Sequence, residues 1–232
     1  MFDGKKKAVT FSYDDGVTQD IRLIELFNKY GLKATFNLNS GLLGKEGRVK
    51  NSMGEAIHNK VQAADVASIY RGHEVAVHTV SHPNLTGLEK PDIIRQVEDD
   101  RRALEDAVGY EIVGMAYPCG GVNNNDFVAS VIAENTPLKY ARTITCNDSF
   151  ERQNNLYRFQ PTVYHMDFDK MFESARDFVE GEWPDDRIFY VWGHSYEFDY
   201  NDTWGKFKEL CEYISGRADI FYGTNCEVLL NA

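Results

Sequence analysis

Cysteine is sparse in this 232-residue chain, and the four it has, Cys119, Cys146, Cys211 and Cys226, lie far apart. No C-x-x-C pair occurs, which argues against a cysteine zinc site, and scattered thiols in a chain of this size fit a reducing compartment. Long apolar runs are missing as well. The opening MFDGKKKAVTF has a basic patch but no apolar stretch behind it, so neither a signal peptide nor a membrane span is expected, and the expected location is cytoplasmic. Positive charge is in deficit: 25 Lys and Arg against 36 Asp and Glu leave a net charge of −11. Nucleic acid and anionic membrane are therefore poor partners. No G-x-G-x-x-G or G-x-x-x-x-G-K-S/T follows the first apolar stretch, so nothing points to nucleotide binding. Repeats, low-complexity tracts and long linkers are absent too, and residues 1–232 read as one domain. Oligomeric state leaves no mark in the sequence.

What the chain does contain is alternation. Short runs, mostly apolar on both faces, predict strands at Ala8–Tyr13, Ala34–Leu38, Glu74–His78, Gly114–Tyr117, Tyr140–Thr145, Phe159–Val163, Ile188–Trp192 and Ile220–Tyr222. Such runs suit parallel strands buried on both sides. Between them, helical spacing of apolar residues predicts helices over Asp20–Tyr30, Lys90–Val108, Asn125–Ala133, Lys170–Val179 and Trp204–Ile214, with Gly31 and Gly109 as stops. Alternating strands and helices imply an α/β fold, either a (β/α) barrel or a doubly wound sheet. In a barrel, chemistry gathers at the C-terminal ends of the strands.

Four stretches put reactive residues at such ends. FSYDDG, residues 11–16, closes the first strand with Asp14 and Asp15 side by side. Asp-Gly alone is ordinary turn chemistry. HEVAVHTVSHPNL, residues 73–85, ends a strand at His78 and adds His82 four residues on. Pro83 keeps the backbone before it extended, so this pair sits on a strand end and a loop and not on one helix face. Catalytic zinc commonly takes three protein ligands from His, Asp or Glu and keeps a fourth position open. His78, His82 and one carboxylate make that set, and the second carboxylate is then free to act as a base. Aspartate with two histidines also suits cobalt, nickel or manganese. YVWGHSYEF, residues 190–198, places His194 just past a late strand, where it is either a proton donor to a leaving group or a hydrogen-bonded loop histidine. MAYPCGG, residues 115–121, ends a strand at Tyr117-Pro118. Its glycines permit a turn whose N–H groups either face an oxyanion or serve only as loop punctuation.

Together these stretches resemble the polysaccharide deacetylase family, carbohydrate esterase family four with the nodulation-type deacetylase domain. The likeness spans residues 8 to about 198. The family's T-F-D-D-G-like motif corresponds to Phe11–Gly16, its H-S/T-x-x-H motif is matched fully by His78–His82, and its late L-x-H motif by Trp192-Gly193-His194. The resemblance implies a distorted (β/α) barrel of seven strands and one divalent metal, usually zinc. It implies Asp15, His78 and His82 as ligands, Asp14 as general base and His194 as general acid. The reaction implied is hydrolysis of an acetyl group on an acetylated sugar or oligosaccharide.

Two departures stand out. The family's arginine position falls on Ala116, and the aromatic position of the same motif on Cys119. Arg142 is the best replacement, since a guanidinium holds a carboxylate with two parallel hydrogen bonds; its other reading is a surface ion pair. The aspartate that orients the acid histidine is either Asp148 or Asp199. Tyr117, Pro118 and Trp192 are the candidate substrate contacts. Two further functions stay open: hydrolysis of another C–N bond, such as a cyclic amide or imide, and an inactive carbohydrate-binding relative. In the last, Trp183, Trp192, Trp204, Tyr196 and Tyr200 are either stacking platforms or core.

Overall fold

The computed structural model describes residues 2–230. Its elements run β1 (Lys7–Asp14), α1 (Asp20–Tyr30), β2 (Ala34–Leu38), β3 (Arg48–Asn51), β4 (Gly54–Ile57), α2 (Val66–Ile69), β5 (Glu74–Val77), α3 (Lys90–Val108), β6 (Gly114–Ala116) and α4 (Asp126–Asn135). They continue through β7 (Tyr140–Arg142), β8 (Val163–Tyr164), α5 (Phe168–Glu180), β9 (Arg187–Gly193), α6 (Trp204–Ile214), β10 (Ile220–Tyr222) and α7 (Asn225–Leu229). Five of the predicted elements, Ala34–Leu38, Asp20–Tyr30, Lys90–Val108, Trp204–Ile214 and Ile220–Tyr222, have the expected bounds.

The main sheet is parallel throughout, in the order β7-β6-β5-β2-β1-β9-β8. Strand β1 is its hub. One edge pairs with β9 from Lys7 to Tyr13, and the other is shared by β10 at Lys7–Val9 and β2 at Phe11–Asp14. These seven strands curl into a distorted (β/α) barrel. The gap between β7 and β8 is closed by a single parallel bridge from Arg142 to Phe159.

That closure corrects one expectation. Phe159–Val163 is not a continuous strand. Phe159 exchanges backbone hydrogen bonds with Ala141 and Thr143, whereas Thr162 donates to Tyr190 on the other side. Pro161 lies between and has no N–H, so the ladder breaks there and the chain changes partner. The predicted Tyr140–Thr145 strand likewise stops at Arg142, beyond which the chain turns toward solvent. The hairpin β3–β4 was not expected. Its residues, RVKN and GEAI, are too polar to show an alternating pattern, and only Ala56 is buried, against Val17, Tyr196 and Tyr200.

Side-chain alternation sorts the barrel into an outer and an inner core. Val9, Phe11 and Tyr13 of β1, Val75 and Val77 of β5, Ala141 of β7, and Phe189 and Val191 of β9 pack outward against the helices. Residues of opposite parity, among them Ala8, Tyr140, Ile188, Tyr190 and Trp192, form the inner cluster, which Val228 and Leu229 of α7 close at the bottom. Several polar groups inside pair with one another. Thr10 donates to Asn225, whose amide donates to Tyr190, and buried Glu74 accepts from Thr35 and Tyr140. Asp14, Asn37, His78, Arg142 and His194 share this inward parity at the upper strand ends. Among the described residues, no helix is long and apolar enough to cross a membrane.

Inward crowding is tightest at Gly114, where a Cβ would lie 2.0 Å from the Tyr140 ring. That ring is pinned by its hydrogen bond to Glu74. Gly114→Ala is therefore expected to cost about 1–3 kcal/mol, read as a melting temperature lowered by roughly 2–4 °C per kcal/mol. An unchanged melting curve would mean that Tyr140 is free to move.

Candidate active site

Asp14 is the last residue of β1 and points into the barrel mouth. Its Oδ1 accepts from Asn37 Nδ2 at 2.8 Å and from Arg142 Nη2. Its Oδ2 faces His78 Nε2 at 3.9 Å and His194 Nε2 at 4.0 Å. Burial works to raise the Asp14 pKa, but Arg142, His78 and His194 outweigh it and hold the carboxyl below its usual range. Arg142 is 0% exposed, so the surface ion pair is ruled out. Its guanidinium also lies over the Trp192 ring, 4.8 Å from the centroid.

Asp15 is turned away from its neighbour by a left-handed backbone, φ 84°. Its N–H donates to Asn37 O, and Lys60 Nζ donates to its carbonyl at 2.7 Å. These bonds hold a conformation that costs a non-glycine residue about 1–3 kcal/mol. The Asp15 carboxylate meets His58 Nε2 at 3.1 Å, Lys60 Nζ at 3.2 Å and His82 Nε2 at 3.8 Å. Burial opposes ionisation here too, but the His58 hydrogen bond and the Lys60 charge keep the pKa well below the usual carboxylate value.

His78 follows β5, and its Nδ1 lies 2.8 Å from the carbonyl of Ala116. A carbonyl only accepts, so Nδ1 carries the proton and Nε2 keeps a free lone pair toward the cavity. Burial lowers the His78 pKa to about 4, so the ring is neutral, as a metal ligand must be. His82 is left-handed at φ 60° and not extended as Pro83 led one to expect, and it stands edge-on to His78 with ring centroids 4.9 Å apart. Asp15, His78 and His82 each bring one ligand atom within 4.8 Å of the others. Two imidazoles and a carboxylate beside a small cavity fit a divalent cation and leave room for further ligands.

His194 lies just past β9. Its Nδ1 is 3.0 Å from Glu197 Oε2, which turns Nε2 toward Asp14. Burial alone would lower the His194 pKa, but the charge of Glu197 and its hydrogen bond raise it to about 9, with help from Asp15 and Asp14. Glu197 is anchored on three further sides. It accepts from Tyr164 at 2.5 Å, faces His165 Nε2 at 2.8 Å and accepts the His194 backbone N–H at 3.2 Å. Ser195 ties the same loop to buried Asp20 at 2.5 Å.

Several expectations therefore change. The orienting carboxylate is Glu197, not Asp148 or Asp199. Asp148 pairs with Lys170 at the surface, and Asp199 accepts from Gln19 and Trp204. A carboxylate three residues past the histidine was visible in HSYEF, but only a tight turn there brings it back onto the ring. His58 and Lys60 had no sequence signal, because they reach Asp15 from the loop after the hairpin. The 260 Å³ cavity is lined by Tyr117 and Trp192, as expected. Pro118 is buried outside that lining, which instead includes Cys119, Gly120, Ile144 and Tyr196. In the same loop the Tyr117 N–H is spent on Arg142 O and the Cys119 N–H on His82 Nε2, and among the described residues the Gly120 N–H has no partner. Trp204 and Tyr200 are core, and Trp183 packs against Phe150 away from this cavity.

Comparison with known proteins bears on the family and the fold. The sequence model described as polysaccharide deacetylase matches residues 3–138, more than half of the chain. A peptidoglycan-N-acetylglucosamine deacetylase of Listeria monocytogenes is 27% identical over 120 residues, which are 50% of this chain and 22% of that protein. The chain thus spans about a fifth of the length of that curated relative. Among solved structures, the carbohydrate esterase family 4 domain of a multidomain xylanase from the hindgut metagenome of Trinervitermes trinervoides aligns with a TM-score of 0.62 at 17% identity. It covers 97% of this chain and 91% of that one. A family 4 pseudoenzyme from Bacillus anthracis aligns with a TM-score of 0.57 at 20% identity, covering 97% and 66%. At these identities the structural likenesses show the fold.

Because Glu197 is the main positive influence on the His194 pKa, Glu197→Gln should drop it from about 9 toward the ordinary imidazole value of about 6.5. An NMR titration of the His194 ring would show this. A value that stays near 9 would assign the shift to Asp14 and Asp15 instead.

Proposed function

The chain belongs to the polysaccharide deacetylase family, and from that membership we propose that it is a metal-dependent hydrolase that removes acetyl groups, N-acetyl in preference to O-acetyl, from a carbohydrate. The observation that carries this reading is the division of labour between two adjacent carboxylates. Asp15 faces His82 and stands with His78 in a three-ligand set, while Asp14 is held by Arg142 and Asn37 with one oxygen left open.

Asp14 Oδ2 is the atom that takes a proton from the attacking water, since Oδ1 is occupied. His194, charged through its pairing with Glu197, donates from Nε2 to the departing amine as the C–N bond breaks. The Gly120 N–H, unpartnered among the described residues and carried by a residue that lines the cavity, is the donor we assign to the developing oxyanion. A divalent cation held by Asp15, His78 and His82, which we propose to be zinc, supplies Lewis-acid activation of water and carbonyl when bound. Trp192 and Tyr117 wall the 260 Å³ cavity. The inactive reading drew its support from the missing family arginine; Arg142, reaching Asp14 from β7, removes that support. The Listeria relative is named for N-acetylglucosamine in peptidoglycan, which favours an amino sugar here.

Metal-stripped protein reloaded with zinc should release acetate from N-acetylglucosamine, its oligomers or O-acetylated xylan. Asp14→Ala should lower that rate by about 10²–10⁴ without loss of bound zinc, whereas His78→Ala should lose both zinc and activity. Full activity in Asp14→Ala would remove it as the base. Ring opening of a cyclic imide without any acetate release would move the assignment to another C–N bond.

A further inference from the structure

Asp15 is held by a segment that lies outside all four motif stretches. Residues 58–61 follow β4 and run back along the turn after β1, where Val17 and Lys60 form an antiparallel bridge. Backbone hydrogen bonds fix this strap at every residue. The His58 N–H donates to Gly47 O, the Lys60 N–H to Lys45 O and the Val61 N–H to Gly16 O, while Asn59 O accepts from the Thr18 N–H. A strap tied on both sides holds its side chains at set positions relative to Asp15.

His58 reaches Asp15 from this strap. Its Nε2 lies 3.1 Å from Oδ2, and its ring stands edge-on to Tyr196 with centroids 4.8 Å apart. A carboxylate oxygen only accepts, so Nε2 bears the proton in this contact. That N–H occupies Oδ2 and leaves the same nitrogen no lone pair for a cation. The other oxygen approaches the ligand histidines: Oδ1 lies 3.8 Å from His82 Nε2. Lys60 Nζ comes within 3.2 Å of Oδ1, but its hydrogen bond goes to the Asp15 carbonyl at 2.7 Å. Oδ1 has two lone pairs, so the ammonium leaves one for a cation. The two oxygens of Asp15 are therefore unequal. A carboxylate without such a donor turns freely about its last bond and offers a cation either oxygen or both.

We propose that His58 is a positioning residue for the metal ligand: it ties down Asp15 Oδ2, so that Asp15 meets a divalent cation through Oδ1 alone. The inference rests on the metal-site reading of Asp15, His78 and His82, and it assigns a residue beyond that set. Those three bring ligand atoms within 4.8 Å of one another, and His58 is not among them. Hydrogen-bond partners of a ligand fix its orientation, and their loss typically costs a metal site about 10- to 100-fold in affinity.

Zinc affinity, measured by competition with a chromophoric chelator, tests this without any substrate. His58→Leu keeps bulk against Tyr196 but has no donor, whereas His58→Gln restores an N–H at similar reach. His58→Leu should raise the zinc Kd about 10- to 100-fold, and His58→Gln should return it to within about threefold of the parent. His58→Asn, polar but too short to reach Oδ2, should bind as weakly as His58→Leu, and it decides the matter if His58→Leu does not fold. The cobalt-loaded parent and His58→Gln should share one visible spectrum, because their ligands are the same. A changed spectrum would make His58 a ligand and overturn the proposal. So would a donor-less variant that holds zinc as tightly as the parent, or a His58→Gln variant that binds as weakly as His58→Leu. If the parent itself binds no zinc, the metal-site reading fails and takes the proposal with it.

Discussion

The site depends on one buried charge pair. Asp14 and Arg142 meet inside the barrel mouth, where neither is exposed enough to be solvated. A buried carboxylate without a partner would take up a proton and cease to be a base; a buried guanidinium without one would be strongly destabilising. Each keeps the other ionised. The pair also spans the barrel, because β1 and β7 lie far apart in the sheet order and meet only through its curvature. The Arg142–Phe159 bridge closes the ring at the same residue that holds Asp14. Barrel closure and the charge state of the base are thus linked through one side chain.

The second constraint separates two like charges that are adjacent in sequence. Strand geometry sends Asp14 inward, and the left-handed turn at Asp15 sends the next carboxylate toward His82. Each then collects its own partners: the Arg142 cation for Asp14, and the Lys60 cation with a His58 hydrogen bond for Asp15. Backbone strain recurs at this rim, with positive φ at Thr79, His82 and Cys119 as well. Strain of this kind persists where surrounding hydrogen bonds over-determine it, and it concentrates at functional sites.

Positions that differ from the family pattern are compensated in space rather than in sequence. The guanidinium comes from β7 because Ala116 on the neighbouring strand β6 has none to offer, and the Ala116 carbonyl instead fixes the tautomer of His78. The carboxylate behind His194 comes from the turn that follows it. His165, Tyr164 and the His194 backbone converge on that Glu197, so its orientation is fixed by several elements at once.

Much of this was legible in the residue order. Alternating apolar runs determine the strands and helices, and even spacing places Asp14, His78, Arg142 and His194 on one face of their strands. Motif spacing singled out the Asp pair and both histidines of HTVSH, since the backbone period alone decides which side chains share a face. What the order could not determine is the meeting of distant strands. Pro161 splitting one strand between two partners, Glu197 folding back on His194, and His58 and Lys60 reaching Asp15 from beyond a polar hairpin all depend on barrel curvature and loop path. Apart from the three-residue turn that returns Glu197 to His194, these are contacts between segments tens to more than a hundred residues apart, and only the closed tertiary structure brings them within hydrogen-bond reach.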